Sequence, residues 1–203
     1  MPTDRKTAEE TRACILKTAW DLFRQLGTRT TVAEVAENLG MSAANVYRFF
    51  PSKQALSEAV CENVLQNVVA SLSDIAQRSA PPAERIREIL MTMHRTMRDQ
   101  MVSASRVHEI VEVAIQERWA SIEAFENDVV GLIGSLIAEG QKNGEFGEGD
   151  PQKLGSLTLC SCSGIHHPVL IALYDAPDAD PKPDDIVGFA LRALAHREPG
   201  NGG

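Results

Sequence analysis

Asn45, Tyr47 and Arg48 stand close together in the segment Ser42–Phe49, and their side chains carry the donors and acceptors needed to read a base edge. A carboxamide can pair with adenine N6 and N7, a guanidinium with guanine O6 and N7, and the methyl of Ala43 or Ala44 can touch a thymine methyl. On a helix these residues lie opposite Val46 and Phe49, so a polar side separates from an apolar one. A second group, Cys160, Cys162, His166 and His167, offers thiolate and imidazole, ligands that suit zinc or copper. Cys162 and His166 are i,i+4 neighbours on a helix, but two cysteines two positions apart splay by about 200°. All four therefore cannot meet one ion, and the small residues Gly155, Ser156, Ser161, Ser163 and Gly164 suit close helix contact instead. A third group, Met93, His94, Met97, His108, Trp119 and Phe125, fits the wall of an adaptable apolar pocket, because thioethers fill irregular space. Taken singly, each of these six has a plainer reading as an ordinary core residue.

The elements that must position the first group can be read from local signals. Thr31 with Glu34 three residues on is a capping box, so a helix starts there. Val32, Val35, Ala36 and Leu39 recur at helical spacing, and Gly40 ends the run where a tight turn needs φ > 0. Ser42 caps the next helix, which Pro51 stops. Small Ala36, then Gly40, then apolar Val46 lets the two helices cross closely, as in a helix-turn-helix. The competing reading is an ordinary αα-corner. Thr30 or Thr31 can meet a phosphate at a helix N-terminus.

The rest of the chain also reads as helical. Thr7 with Glu10 opens a helix to about Leu26 with Ile15, Leu16, Ala19, Trp20, Phe23 and Leu26 on one face, closed by Gly27. Ser52 caps a helix from Lys53 to about Gln77, followed by helices over 83–101, about 105–116 and about 118–142. Pro151 opens a further helix to about Tyr174, kinked at Pro168, and a last helix runs over about 185–197. The fold class is all-α: an N-terminal three-helix head (residues 1–52) and a larger helical domain (residues 53–203).

Charge is distributed unevenly. The chain of 203 residues has a formal net charge of −8, which taken alone argues against nucleic acid. Residues 1–60, however, carry eight Lys/Arg against seven Asp/Glu, while the remainder carries twelve against twenty-one. Only the first third can approach a phosphate backbone without strong repulsion. The polar start, the absence of an apolar run near ~18 residues and four cysteines without a secretory signal predict a cytoplasmic protein with reduced thiols and no membrane span. No nucleophile elbow, phosphate loop or HExxH is present, so no enzyme and no cofactor are expected.

Thr30–Lys53, TTVAEVAENLGMSAANVYRFFPSK, resembles the DNA-binding motif of the TetR family of bacterial transcriptional regulators. The shared features are the Thr-rich entry, VAEVAENLGMS, Tyr47 in the second helix, and FFPSK followed by ALS. The resemblance covers residues 7–60 and fades beyond them. It implies a homodimer on a partly palindromic double-stranded operator, released by an unknown small-molecule effector bound in the larger domain. It also implies that Tyr47 and Lys53 contact phosphates, and that the penultimate and last helices pack against their symmetry mates. Many relatives have a polar residue followed by Gly where this chain has Ala43-Ala44, so the operator does not transfer. The alternative from another class is an all-α metal or thiol sensor, or an interaction protein, using Cys160, Cys162, His166 and His167.

Overall fold

The computed structural model describes residues 7–103, 105–167, 170–171 and 178–195, with the side chains of 100–108 outside the description. All regular structure among the described residues is helical: α1 (Ala8–Leu26), a 3-10 turn (Gly27–Arg29), α2 (Val32–Asn38), α3 (Ala43–Phe49), α4 (Lys53–Ala76), α5 (Pro82–Ser103), α6 (Ser105–Gln116), α7 (Ala120–Lys142), α8 (Pro151–Ser161), α9 (Ser163–His166) and α10 (Pro183–Ala195). The expected kink at Pro168 lies outside the described residues. The chain folds into two compact units that do not break at residue 52. One takes the chain up to Leu65 and again from Met101 to Ile122; the other takes Gln66–Gln100 and the chain from Glu123 on.

The first unit is held together by α1, whose buried side chains Ile15, Leu16, Ala19 and Phe23 meet Val32, Val35 and Ala36 of α2 and Val46 of α3. Each fully buried aliphatic or aromatic side chain stabilises by roughly 1.5–3 kcal/mol. Capping boxes of about 1 kcal/mol therefore set where helices begin rather than whether the unit folds. Thr7 and Glu10 form one such box, and Thr31 and Glu34 the other. Hydrogen bonds from Thr31, through its side chain and then its backbone, hold the Glu34 carboxyl below its ordinary pKa, with a smaller pull from Lys53. Gly40 has φ of 64°, which lets the chain turn from α2 into α3. α6 belongs to this unit as well: Ile110 and Ala114, with Trp119 after the helix, are buried in the same core.

The second unit buries Val68, Leu72 and Ile75 of α4 among Ile86, Ile89, Leu90 and Met93 of α5, Val129, Ile133 and Ile137 of α7, and Val187, Leu191 and Leu194 of α10. Arg85 is buried there. Its Nη1 donates to Ala76 O at 2.8 Å, and its Nη2 pairs with Glu139. The guanidinium thus satisfies a carbonyl at the end of α4 that has no partner within its own helix.

The continuous helix expected from Pro151 to about Tyr174 is interrupted at Cys162, where φ is −94° and ψ is 7°. In an unbroken helix Leu159 O would accept from the amide of Ser163. Here it accepts from Cys162 N at 3.1 Å and from the imidazole Nε2–H of His166 at 3.0 Å. Thr158 and Ser161 bond back to the carbonyls of Leu154 and Thr158, which competes with the regular ladder. The break therefore arises from side chains taking over backbone acceptors.

Candidate nucleic-acid interface

α3 is capped by Ser42, whose Oγ accepts from Asn45 N at 3.3 Å, and it is anchored by Val46, which is fully buried. Opposite that anchor Ala44, Tyr47 and Arg48 are exposed. Tyr47 is 47% exposed and one of only three large hydrophobic side chains left open among the described residues. Ala43 and Asn45 are half-buried. Ala43 packs against the core, and Asn45 Nδ2 lies 3.9 Å from Met41 Sδ, leaving part of its carboxamide accessible. The aromatic that is buried beside Val46 is Phe50, 3% exposed, rather than Phe49, which is half-buried. α3 ends at Phe49, and Phe50 has extended backbone angles of −134° and 103°, so its side chain leaves the helical register and turns inward.

The threonines at the entry to α2 have different environments. Thr31 is exposed, with its hydroxyl donating to Glu34 Oε2 at 2.8 Å. Thr30 is 1% exposed, and its Oγ1 has no hydrogen-bond partner among the described residues. Lys53 is exposed at the start of α4, and its Nζ donates to the carbonyl of Thr28. Thr28 in turn donates from N and Oγ1 to Glu109 Oε2 of α6, at 3.2 and 2.8 Å. The turn between α1 and α2 is thereby gripped by side chains from α4 and α6. Spacing could not have revealed this, because Thr28 and Glu109 are 81 residues apart.

An exposed base-reading face on a short capped helix, backed by a buried anchor, is the geometry that enters a major groove. The family model described as bacterial regulatory proteins, tetR family, matches residues 15–60, and the tetracyclin repressor-like C-terminal domain matches residues 82–187. The HTH-type transcriptional regulator RutR of Escherichia coli K12 is 32% identical over 149 residues, spanning 70% of this chain and 68% of that protein. The chain belongs to the tetR family. It is a DNA-binding transcriptional regulator of the ligand-responsive repressor kind. Its fold is shared by the TetR/AcrR regulator of Thermobifida fusca (TM-score 0.65, 22% identity, 92% of this chain and 97% of that one). It is shared likewise by a transcriptional regulator of Cytophaga hutchinsonii (TM-score 0.71, 18% identity, 92% and 99%).

The remaining candidate residues of this tetR-family chain fall into separate environments. Met93 and His94 are buried in the second unit, Met97 is half-buried, and Phe125 packs against the same core as Met93. His94 Nδ1 lies 2.8 Å from Ile165 O and, the carbonyl being an acceptor only, carries the proton. Trp119 belongs to the core of the first unit and donates from Nε1 to Glu117. The side chain of His108 lies outside the description. Cys160 is exposed while Cys162 is buried, and burial raises the Cys162 thiol above its ordinary pKa. Among the described residues no three His, Cys, Asp or Glu side chains gather as metal ligands. With the chain placed in the tetR family, the reading of this segment as a metal or thiol sensor is not favoured.

His166 has a consequence for pH. Burial lowers its pKa, outweighing the opposing hydrogen bond to Leu159. The folded imidazole is neutral where an unfolded one, with a pKa of about 6.5, begins to take a proton. The unfolded state then binds more protons, so stability is full above about pH 6.5 and falls as pH drops towards the depressed folded value. Thermal melts from pH 8 to 5 should show a steeper fall below 6.5 for the parent chain than for His166→Gln. Parallel curves would remove His166 as the cause.

Proposed function

We propose that this regulator binds, as a homodimer, a double-stranded operator of two related half-sites, with one copy of α3 in the major groove of each. The observation that carries this reading is the face of α3, where Ala44, Tyr47 and Arg48 are exposed opposite the buried Val46. Arg48 reads guanine, the accessible part of Asn45 reads adenine, and a methyl of Ala43 or Ala44 meets thymine. Tyr47, Lys53 and Thr31 meet the backbone, setting register without reading sequence; Thr30, expected to share that contact, is buried at 1% exposure and turned away from any phosphate. The first unit carries DNA binding, and the second carries dimerisation and effector binding.

Dimerisation is supported by two exposed hydrophobic side chains, Leu157 of α8 at 56% and Phe189 of α10 at 66%. α8 and α10 pack against one another within the second unit, so both belong to one helical pair. A small-molecule effector binds in the second unit beside Met93, His94, Met97 and Phe125, where thioethers and one imidazole offer apolar contact and a single polar anchor. Its binding releases the DNA. A chromosomal partner places the protein in the cytoplasm; among the described residues no helix is long and apolar enough to cross a membrane.

Duplexes selected from a random-sequence library by the full chain test the reading. A recovered motif with two-fold symmetry supports it, and failure to enrich any motif at ~0.1 M salt overturns it. On the recovered duplex, Arg48→Ala should lose about 1–3 kcal/mol of discrimination at one base pair per half-site. Lys53→Ala should weaken cognate and scrambled duplexes alike and flatten the salt dependence. An unchanged base preference in Arg48→Ala would take Arg48 off the reading surface.

A further inference from the structure

We infer that Arg12 of α1 is a phosphate-binding residue of the DNA interface, held ready by stacking on Phe50. Its guanidinium carbon lies 5.2 Å from the centre of the Phe50 ring. Arg48 stands in the same relation to the next ring along, 5.3 Å from the centre of Phe49. Two guanidiniums, one from α1 and one from α3, thus rest on successive aromatic residues at the exit of the base-reading helix. Lys53 follows three residues after Phe50 in the chain and donates to the Thr28 carbonyl. All three are exposed. None of the described ion pairs involves Arg12 or Arg48.

The stacking geometry matters because a guanidinium uses its face against an aromatic ring and keeps its N–H donors around its rim. Those donors form the fork that matches two phosphate oxygens. Phe50 is itself fixed, being 3% exposed in the core between α1 and α3. A long side chain resting on an immobile ring has less rotamer freedom to lose when it binds, which is the advantage of preorganisation. An arginine that only shielded Phe50 from water would need its stem and not its charge. The presence of the charge, exposed and without a carboxylate partner among the described residues, is what points to an anion. The anion available at that place is the operator backbone, so the inference rests on the DNA-binding reading above.

The test uses the full-length protein and the duplex recovered by selection, with binding measured by fluorescence anisotropy from 50 to 300 mM KCl. Each phosphate contact contributes about 0.9 to the slope of log K against log salt, and a dimer has two copies of Arg12. Arg12→Gln should lower the slope by about 1.8 and weaken binding by about 60-fold near 0.1 M salt, with the ratio of cognate to scrambled affinity unchanged. Arg12→Met, which keeps Phe50 covered, should show the same loss, and Arg12→Lys should keep most of the slope. An unchanged slope in Arg12→Met overturns the assignment, even if its affinity or melting temperature falls, because Arg12 would then serve only to cover Phe50. Failure of the parent chain to bind the selected duplex overturns the DNA-binding reading itself, and this assignment with it.

Discussion

Replacing Leu157 and Phe189 together by glutamate is expected to leave a folded monomer that loses operator DNA by at least about 100-fold. Both side chains are more than half exposed in the single chain, so neither holds the second unit together. Their substitution should leave the helical circular dichroism signal and the melting transition of the monomer nearly unchanged. In a two-fold interface each residue meets its own counterpart or a neighbour of it, so one substitution places unpaired charge on both sides of the contact. Burying a carboxylate without a partner costs several kcal/mol, enough to undo a dimer whose centre is built from such side chains. DNA binding then falls for a separate reason. Two linked heads gain about 10²–10⁴ in apparent affinity over one, and a monomer forfeits that gain without losing any contact to bases. Sedimentation should give a single-chain mass for the double variant, and a gel shift should show half-site binding only at much higher protein concentration. A double variant that still sediments as a dimer at micromolar concentration would place the interface elsewhere on the molecule.

What was legible in the sequence was what is decided within a few residues. The capping boxes of Thr7 with Glu10 and Thr31 with Glu34 involve side chains three positions apart, and both form as their spacing requires. Gly40 is likewise a local demand, met by the one residue without steric cost at φ > 0. Helical periodicity carries α1 because its buried face is one continuous stripe. Periodicity stops being informative once a helix has ended. It assigns Phe49 to the core of the head, but the chain has already left the helix at Phe50, and the extended backbone turns that ring inward instead. The break at Cys162 was invisible for a related reason. Ser161, Cys162, Ser163 and Gly164 are weak helix formers, but what marks the break is the imidazole of His166 taking the carbonyl of Leu159, a contact that periodicity does not show. At the interface, the exposed face of α3 followed from spacing. The stacking of Arg12 on Phe50 and the grip of Glu109 on Thr28 join segments distant in sequence and could come only from the folded chain. The same holds for the groups proposed as one pocket: Met93 and Trp119 share a chemical character, yet each is buried in the core of a different unit.

Gly155→Val is expected to lower the melting temperature by roughly 6–12 °C and to weaken dimerisation with it. A Cβ built on Gly155 of α8 would stand 3.0 Å from Val130 O, 3.1 Å from Gly134 N and 3.3 Å from Gly134 Cα, all backbone atoms of α7. Backbone in the middle of a helix cannot rotate aside as a side-chain tip can, so α8 must move away from α7. Replacing glycine in a helix by a residue with a side chain recovers something under 1 kcal/mol of propensity for valine. Overpacking of a close contact costs about 1–3 kcal/mol and more when backbone is struck; the two γ-methyls of valine deepen the clash, and a net loss of about 3 kcal/mol follows. For a chain of this size each kcal/mol corresponds to about 2–4 °C. The displaced helix carries Leu157, so the face proposed for dimerisation moves with it. Gly155→Ala separates the two contributions: it makes the same first contact without the γ-methyls, and should cost much less. Calorimetry of both variants checks the ordering, and a valine variant as stable as the parent would show that α8 and α7 are not held at the separation the glycine permits.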